Sequence, residues 1–156
     1  MTAIRILIAG VGIAGVGIVA SACGSGTPRP AALDPGGQAC QYCRMVLVDR
    51  RFASQIVAAY EEPRFFDDLG CLNNYLKGRP ALPDDAVVYV ADHGTTAWVP
   101  GRQAVYTRVE MLSAPMGSHI IAHENAASRQ ADREAAAGSP VTLQEVFPAG
   151  LPGTRQ

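Results

Sequence analysis

Two thiols three residues apart and a thioether two residues further on, Cys40, Cys43 and Met45 in the stretch Cys40-Gln41-Tyr42-Cys43-Arg44-Met45, form the densest group of chemically capable side chains in the sequence. All three are soft sulfur donors. Thiolate with thioether selects Cu(I), whereas zinc takes thiolate and imidazole without methionine. Residues two apart on an extended segment face the same way, so a strand beginning at Cys43 would aim Cys43 and Met45 at one ion, with Cys40 ahead of it able to join. The same residues admit other uses. A Cys-x-x-Cys pair serves as a redox dithiol where it caps a helix that lowers a thiol pKa. Cys40 or Cys43 could close a structural disulfide with Cys71 in an oxidising compartment. A zinc knuckle would need four donors at matched spacing, and beyond Cys40 and Cys43 only Cys71 is evident.

Further along, Met116 lies in Ala114-Pro115-Met116-Gly117-Ser118-His119, a loop flanked by proline and glycine that leads into a strand-like run. A methionine in such a loop is better placed to donate than one on a helix stripe, although filling core gaps is the general use of the residue. His119, Ile121 and His123 alternate with Ile120 and Ala122, which would put both histidines on one strand face. They serve equally well as solvated strand residues or as ligands, and His93, beside Gly94 in a loop, is a weaker candidate. Asp67-Asp68 could be read as paired carboxylates for acid-base work, but a helix start explains them, since carboxylates cap exposed amides and oppose the helix dipole. The sequence has no glycine-rich phosphate loop, no Gly-x-Ser-x-Gly elbow and no His-Glu-x-x-His pair.

These residues have to be positioned by secondary structure. Alternation from Cys43, a turn at Asp49-Arg50-Arg51 and the apolar stretch from Phe52 to Tyr60 suggest a hairpin, and Arg64-Phe65-Phe66 a short third strand. Asp67 or Asp68 should cap a helix running to about Lys77, with Gly78 as its stop and Leu69, Leu72 and Leu76 as its buried stripe. The second half opens with a strand at Ala86 to Val90. Strand-like segments follow near Ala97 to Val99, Ala104 to Val109 and Ser118 to His123, then a helix from about Asn125 to Ala137 ended by Gly138 and Pro140. Strands followed by a helix in each half predict an α+β fold made of two similar small strand-strand-helix-strand units.

The chain has 156 residues, 48% hydrophobic and 17% charged, with a formal charge of -1, so no basic field points to nucleic acid. Residues 1–22 carry one charge, Arg5, and an apolar run from Ile6 to Ala20. That run falls short of the roughly 20 residues a spanning helix needs and ends in small residues, the pattern of a cleaved signal peptide. Val19-Ala20-Ser21-Ala22-Cys23 resembles a bacterial lipobox, with Ala20 where such boxes usually carry Leu. Cys23 would then receive a lipid that tethers the protein to a membrane surface. Residues 23–37 are rich in Gly and Pro and read as a flexible tether. With Cys23 consumed, Cys40, Cys43 and Cys71 remain, an odd number for a disulfide framework.

The lipobox-like start, Cys40-x-x-Cys43-x-Met45, Arg51-Phe52-Ala53, Phe66-Asp67-Asp68-Leu69-Gly70-Cys71 and Ala114-Pro115-Met116-Gly117 together resemble the NosL family of nitrous oxide reductase accessory lipoproteins. The resemblance covers roughly residues 38–147, in two halves of about 38–84 and 85–147, and leaves 148–156 as a tail. It implies a non-enzymatic copper chaperone facing the periplasm or cell exterior. Such a protein delivers Cu(I) to nitrous oxide reductase near a membrane transporter complex. Carried over by position, the family's ligands fall on Cys43, Met45 and Met116, with His119, Cys40 and Cys71 as further candidates. Arg44 stands where the family often has Gly, which crowds the approach to the ion.

Overall fold

A computed structural model of the chain describes residues 26–34 and 36–153. The segment expected to be a signal peptide, and Cys23, lie outside the described residues. The fold is α+β, with two antiparallel sheets and short helices.

The first sheet has the order β2-β1-β3-β4, from β1 (Ser54–Val57), β2 (Arg64–Phe66), β3 (Val87–Ala91) and β4 (Trp98–Pro100). Helix α1 (Leu69–Lys77) follows β2 and is capped by the Asp68 carboxylate, which accepts the Cys71 amide at 2.9 Å. Its expected stripe, Leu69, Leu72 and Leu76, is buried together with Cys71. The second sheet has the order β6-β5-β7, from β5 (Val105–Arg108), β6 (Ile120–His123) and β7 (Ser139–Val141). Helices α2 (Ala126–Ala131) and α3 (Leu143–Val146) flank β7 in sequence, and Thr142 and Glu145 form a reciprocal cap at the start of α3.

Each half therefore runs strand, strand, helix, strand, with its first strand central and both neighbours antiparallel to it. The two halves share one core, in which Phe66, Leu72 and Val90 of the first pack in a cluster with Tyr106, Ile120, Val146 and Phe147 of the second. Their sheets meet at a single parallel bridge, Asp92 to Ala122, where the His93 amide donates to the Ala122 carbonyl at 2.8 Å.

Four expectations are corrected by the structure. No strand runs on from Cys43, because Arg44 sits at φ 68, a left-handed conformation that breaks extended backbone, and only an isolated bridge joins Ala39 to Val46. The strand at Val87–Ala91 closes the first sheet by pairing with β1, so the boundary between the repeats falls after β4. The second helix ends at Ala131 because Asp132 leaves helical geometry (φ -84, ψ 112) and turns its carboxylate inward; a short 3-10 turn, Ala135–Ala137, completes the segment. The expected tether is docked from Pro28 onward. The Tyr89 hydroxyl donates to the Pro28 carbonyl, the Gln55 amide exchanges two hydrogen bonds with the Ala31 backbone, and Leu33 is buried.

Candidate metal centre

Three short segments converge beside the start of α1. The turn at Cys40–Met45 folds on itself, with the Cys40 amide donating to the Met45 carbonyl at 2.7 Å and the Arg44 amide to the Cys40 carbonyl at 3.0 Å. The positive φ of Arg44 is what allows this tight return, so the residue standing in place of the family's glycine adopts a glycine-like conformation. The Gln41 amide donates to the Phe65 carbonyl at 2.7 Å, which hangs the turn on β2. Beyond β2 the chain presents Asp67, and the first turn of α1 presents Cys71.

The donor atoms of Cys40, Cys43, Cys71 and Asp67 all lie within 4.8 Å of one another. Cys40, Cys71 and Asp67 are buried and Cys43 is half-buried. All three thiols are free, so no disulfide joins Cys71 to either partner. The Cys43 thiol donates to Asp67 Oδ2 at 3.4 Å, and Asp67 Oδ1 is buried without a hydrogen-bond partner among the described residues. A buried carboxylate oxygen with no donor is costly unless something else satisfies it.

Burial pushes the Cys43 thiol up, and the neighbouring Cys40 and Asp67 add to the effect against the opposing Met45 amide. Cys71 is pushed well above the thiol range by burial and then by Asp67 and Cys40. A redox dithiol shows the reverse, a thiol pKa lowered at a helix N-terminus or beside a cation. Crowded soft donors that hold their protons until a cation replaces them are instead the arrangement of a metal-thiolate site, whose affinity depends on pH.

Of the residues singled out in the sequence, Cys40, Cys43 and Cys71 come together. Met45 and Met116 lie at the surface, 54% and 44% exposed. Met45, Val46, Val48, Phe52, Asp67, Ala114 and Pro115 line an open groove of about 320 Å³. The Met116 loop is fixed to α1, since Asp68 Oδ2 accepts the amides of Met116 and Ser118 at 3.1 and 3.2 Å. His119 stands before β6 at φ 57 with its ring on the Leu112 carbonyl, so it does not share a strand face with buried His123.

Asp67 is the member of the cluster that sequence reasoning missed, because both aspartates were assigned to the helix start. Only one residue can cap, and here Asp68 does. A second carboxylate directly before a cap and four residues before a cysteine was the available signal.

The family model NosL matches residues 30–150. The chain belongs to the NosL family. A crystal structure of the copper chaperone NosL from Shewanella denitrificans shares the fold with a TM-score of 0.61 at 16% identity, covering 79% of this chain and 98% of that one. No curated protein shows significant sequence similarity to the chain.

Proposed function

We propose that this NosL-family protein is a copper(I) chaperone that takes its ion at the thiol cluster of the first half and passes it on by ligand exchange. The observation that carries the reading is the convergence of Cys40, Cys43, Cys71 and Asp67 within 4.8 Å at the edge of an open groove. Copper is the metal named for the structural relative, and three thiolates form the soft donor set that Cu(I) prefers.

Cys43, half-buried and two residues from exposed Met45, stands between the buried thiols and the surface. In this account Cys43, Met45 and Met116 form the exchange set. The methionines offer weak neutral donors at the protein surface, and Cys43 supplies the charge. Cys40, Cys71 and Asp67 lie behind Cys43 and deepen the well, and His119, held on Leu112, stands aside. No electron moves in transfer. One sulfur ligand at a time is replaced by a ligand of the acceptor, and each vacated thiolate recovers its proton. The protein has no catalytic role in this scheme.

By the family resemblance, the acceptor is nitrous oxide reductase or a related copper enzyme, reached near a membrane transporter complex. The chaperone is carried on a lipid at Cys23 and faces the periplasm or cell exterior. The test is an anaerobic Cu(I) titration of the reduced protein against a chromophoric chelator, with Cys43→Ser alongside. Stoichiometric removal of copper from the chelator, weakened in the variant, is the expected result. If the protein fails to compete at all, the chaperone reading is wrong.

A further inference from the structure

A second cluster of metal-binding side chains lies away from the thiols, at the joint between the two sheets. His93 follows β3 and His123 ends β6, and both are buried, at 3% and 0% exposure. One oxygen of Asp132, Oδ2, meets both rings, 2.6 Å from His93 Nδ1 and 2.9 Å from His123 Nε2. The other nitrogens, His93 Nε2 and His123 Nδ1, are buried without a hydrogen-bond partner among the described residues. His93 Nε2 lies 3.3 Å from Glu134 Oε2 without hydrogen-bond alignment, and Glu134 is the half-exposed member through which the cluster meets solvent.

This geometry is held by more than the cluster itself. Asp92 Oδ1 accepts the Gly94 and Thr95 amides and the Thr95 hydroxyl, and its Oδ2 accepts the Glu124 amide and the Ser128 hydroxyl. One carboxylate thereby locks the His93 turn to the residue after His123 and to α2, the helix that delivers Asp132. Arg51, paired with Asp49, reaches Glu134 at 3.5 Å, and Phe52 sets its ring edge-on to His93 with centroids 5.1 Å apart.

We infer that His93, His123 and Asp132 form a second metal site, for a borderline divalent cation, zinc(II) or copper(II), bound independently of the thiol cluster. Two imidazoles and a carboxylate suit these ions, whereas Cu(I) seeks sulfur. In the tautomer that binds a metal, each ring carries its proton on the distal nitrogen and presents His93 Nδ1 and His123 Nε2, the atoms that face Asp132, as donors. His93 Nε2 then carries a hydrogen facing Glu134, the outer partner that metal-bound histidines commonly have. The ring-to-carboxylate distances must open to about 3.3 Å around an ion with metal-ligand bonds of about 2.0–2.2 Å. Because His93 belongs to the first sheet's loop and His123 to the second sheet, the ion would clamp the halves together.

The test uses the whole reduced protein titrated separately with zinc sulfate and copper(II) sulfate, both after the thiol cluster has been filled with Cu(I) so that the thiols cannot take either ion. Zinc K-edge absorption should reveal a bound equivalent with imidazole and oxygen but no sulfur neighbours, or copper(II) resonance should show coupling to two imidazole nitrogens. Whichever arm responds identifies the ion. His123→Gln should abolish that equivalent while leaving Cu(I) uptake intact. Glu134→Gln, exposed and harmless to folding, should weaken it about 10- to 100-fold. An equivalent that survives His123→Gln, or sulfur-only coordination for zinc together with no imidazole coupling for copper(II), would overturn the proposal. Zinc absorption and copper(II) resonance do not detect Cu(I), so failure here leaves the chaperone reading standing; if Cu(I) itself fails to bind, the same titrations run on Cys43→Ser protein test this site alone.

Discussion

The groove of the first half and the seam between the halves hold polar clusters built to opposite plans. In the first half, three thiols and Asp67 gather on a turn and a helix start at the edge of a groove, with Cys43 half-buried and Met45 open to solvent. In the other cluster, His93 from the first half and His123 from the second, both enclosed, share one carboxylate at the seam between sheets, and Asp92 fixes their surroundings with five hydrogen bonds. The first arrangement suits an ion that arrives and leaves. The second suits a group that stays and joins. The same fold therefore carries both kinds of site, one on a groove-side turn of the first half and one at the buried joint where the halves meet.

The sharpest way to break this contrast is to remove the seam's organiser. Asp92→Ala deprives buried amides and the Ser128 hydroxyl of their acceptor, and should cost about 3–5 kcal/mol in chemical denaturation. Under conditions where the variant remains folded, Cu(I) affinity should stay near wild type, because Asp92 touches none of the thiols. Cys43→Ser should do the reverse, losing about 3 kcal/mol of Cu(I) affinity, roughly a hundredfold, with little change in the denaturation midpoint. Equal damage to both properties by either variant would mean that the two regions are not separable.

Replacing both Met45 and Met116 by Leu should weaken Cu(I) binding by only about tenfold, and should slow transfer to a competing chelator more than it lowers affinity. Both side chains are exposed, so stability should hold. Loss of copper binding in full would place the methionines at the centre of the site rather than at its rim.

Acid should separate the halves again. Burial opposes ionisation of Asp92 and Asp132, but their hydrogen bonds outweigh it and hold both below the ordinary carboxylate value, Asp132 at about 2. The unfolded chain therefore binds these protons first. The stability they contribute is complete above the usual carboxylate range and is lost as pH falls toward 2. The thiols are shifted the other way, and Cu(I) must displace their protons, so copper affinity should fall with decreasing pH already across neutrality, well above the range in which these two carboxylates take up protons. Binding and stability measured from pH 8 downward should decline in that order.

Much of the fold is written locally. Asp68, the leucines at 69, 72 and 76, and Gly78 specify α1 almost to the residue, and α2 starts where the sequence places it, with Asn125 as its cap. The misjudged places are those where local pattern gives way to tertiary demand. Cys43 to Val48 alternate like a strand, yet Arg44 turns left-handed so that the cysteine turn can close. The alanine-rich run after Asn125 favours a longer helix, yet Asp132 leaves it to reach His123 and His93, nine and 39 residues away in sequence. The thiol cluster was partly legible because Cys40 and Cys43 are sequence neighbours. Cys71 and Asp67 join it only through the docking of β2, and His93 meets His123 only once the sheets do.

The most direct test of the central claim is copper K-edge absorption of the Cu(I)-loaded protein. The expected result is a first coordination sphere dominated by sulfur and free of imidazole, with copper binding sharply weakened in Cys43→Ser. Imidazole scattering around Cu(I), undiminished in that variant, would contradict the thiol assignment and move the cargo to the seam.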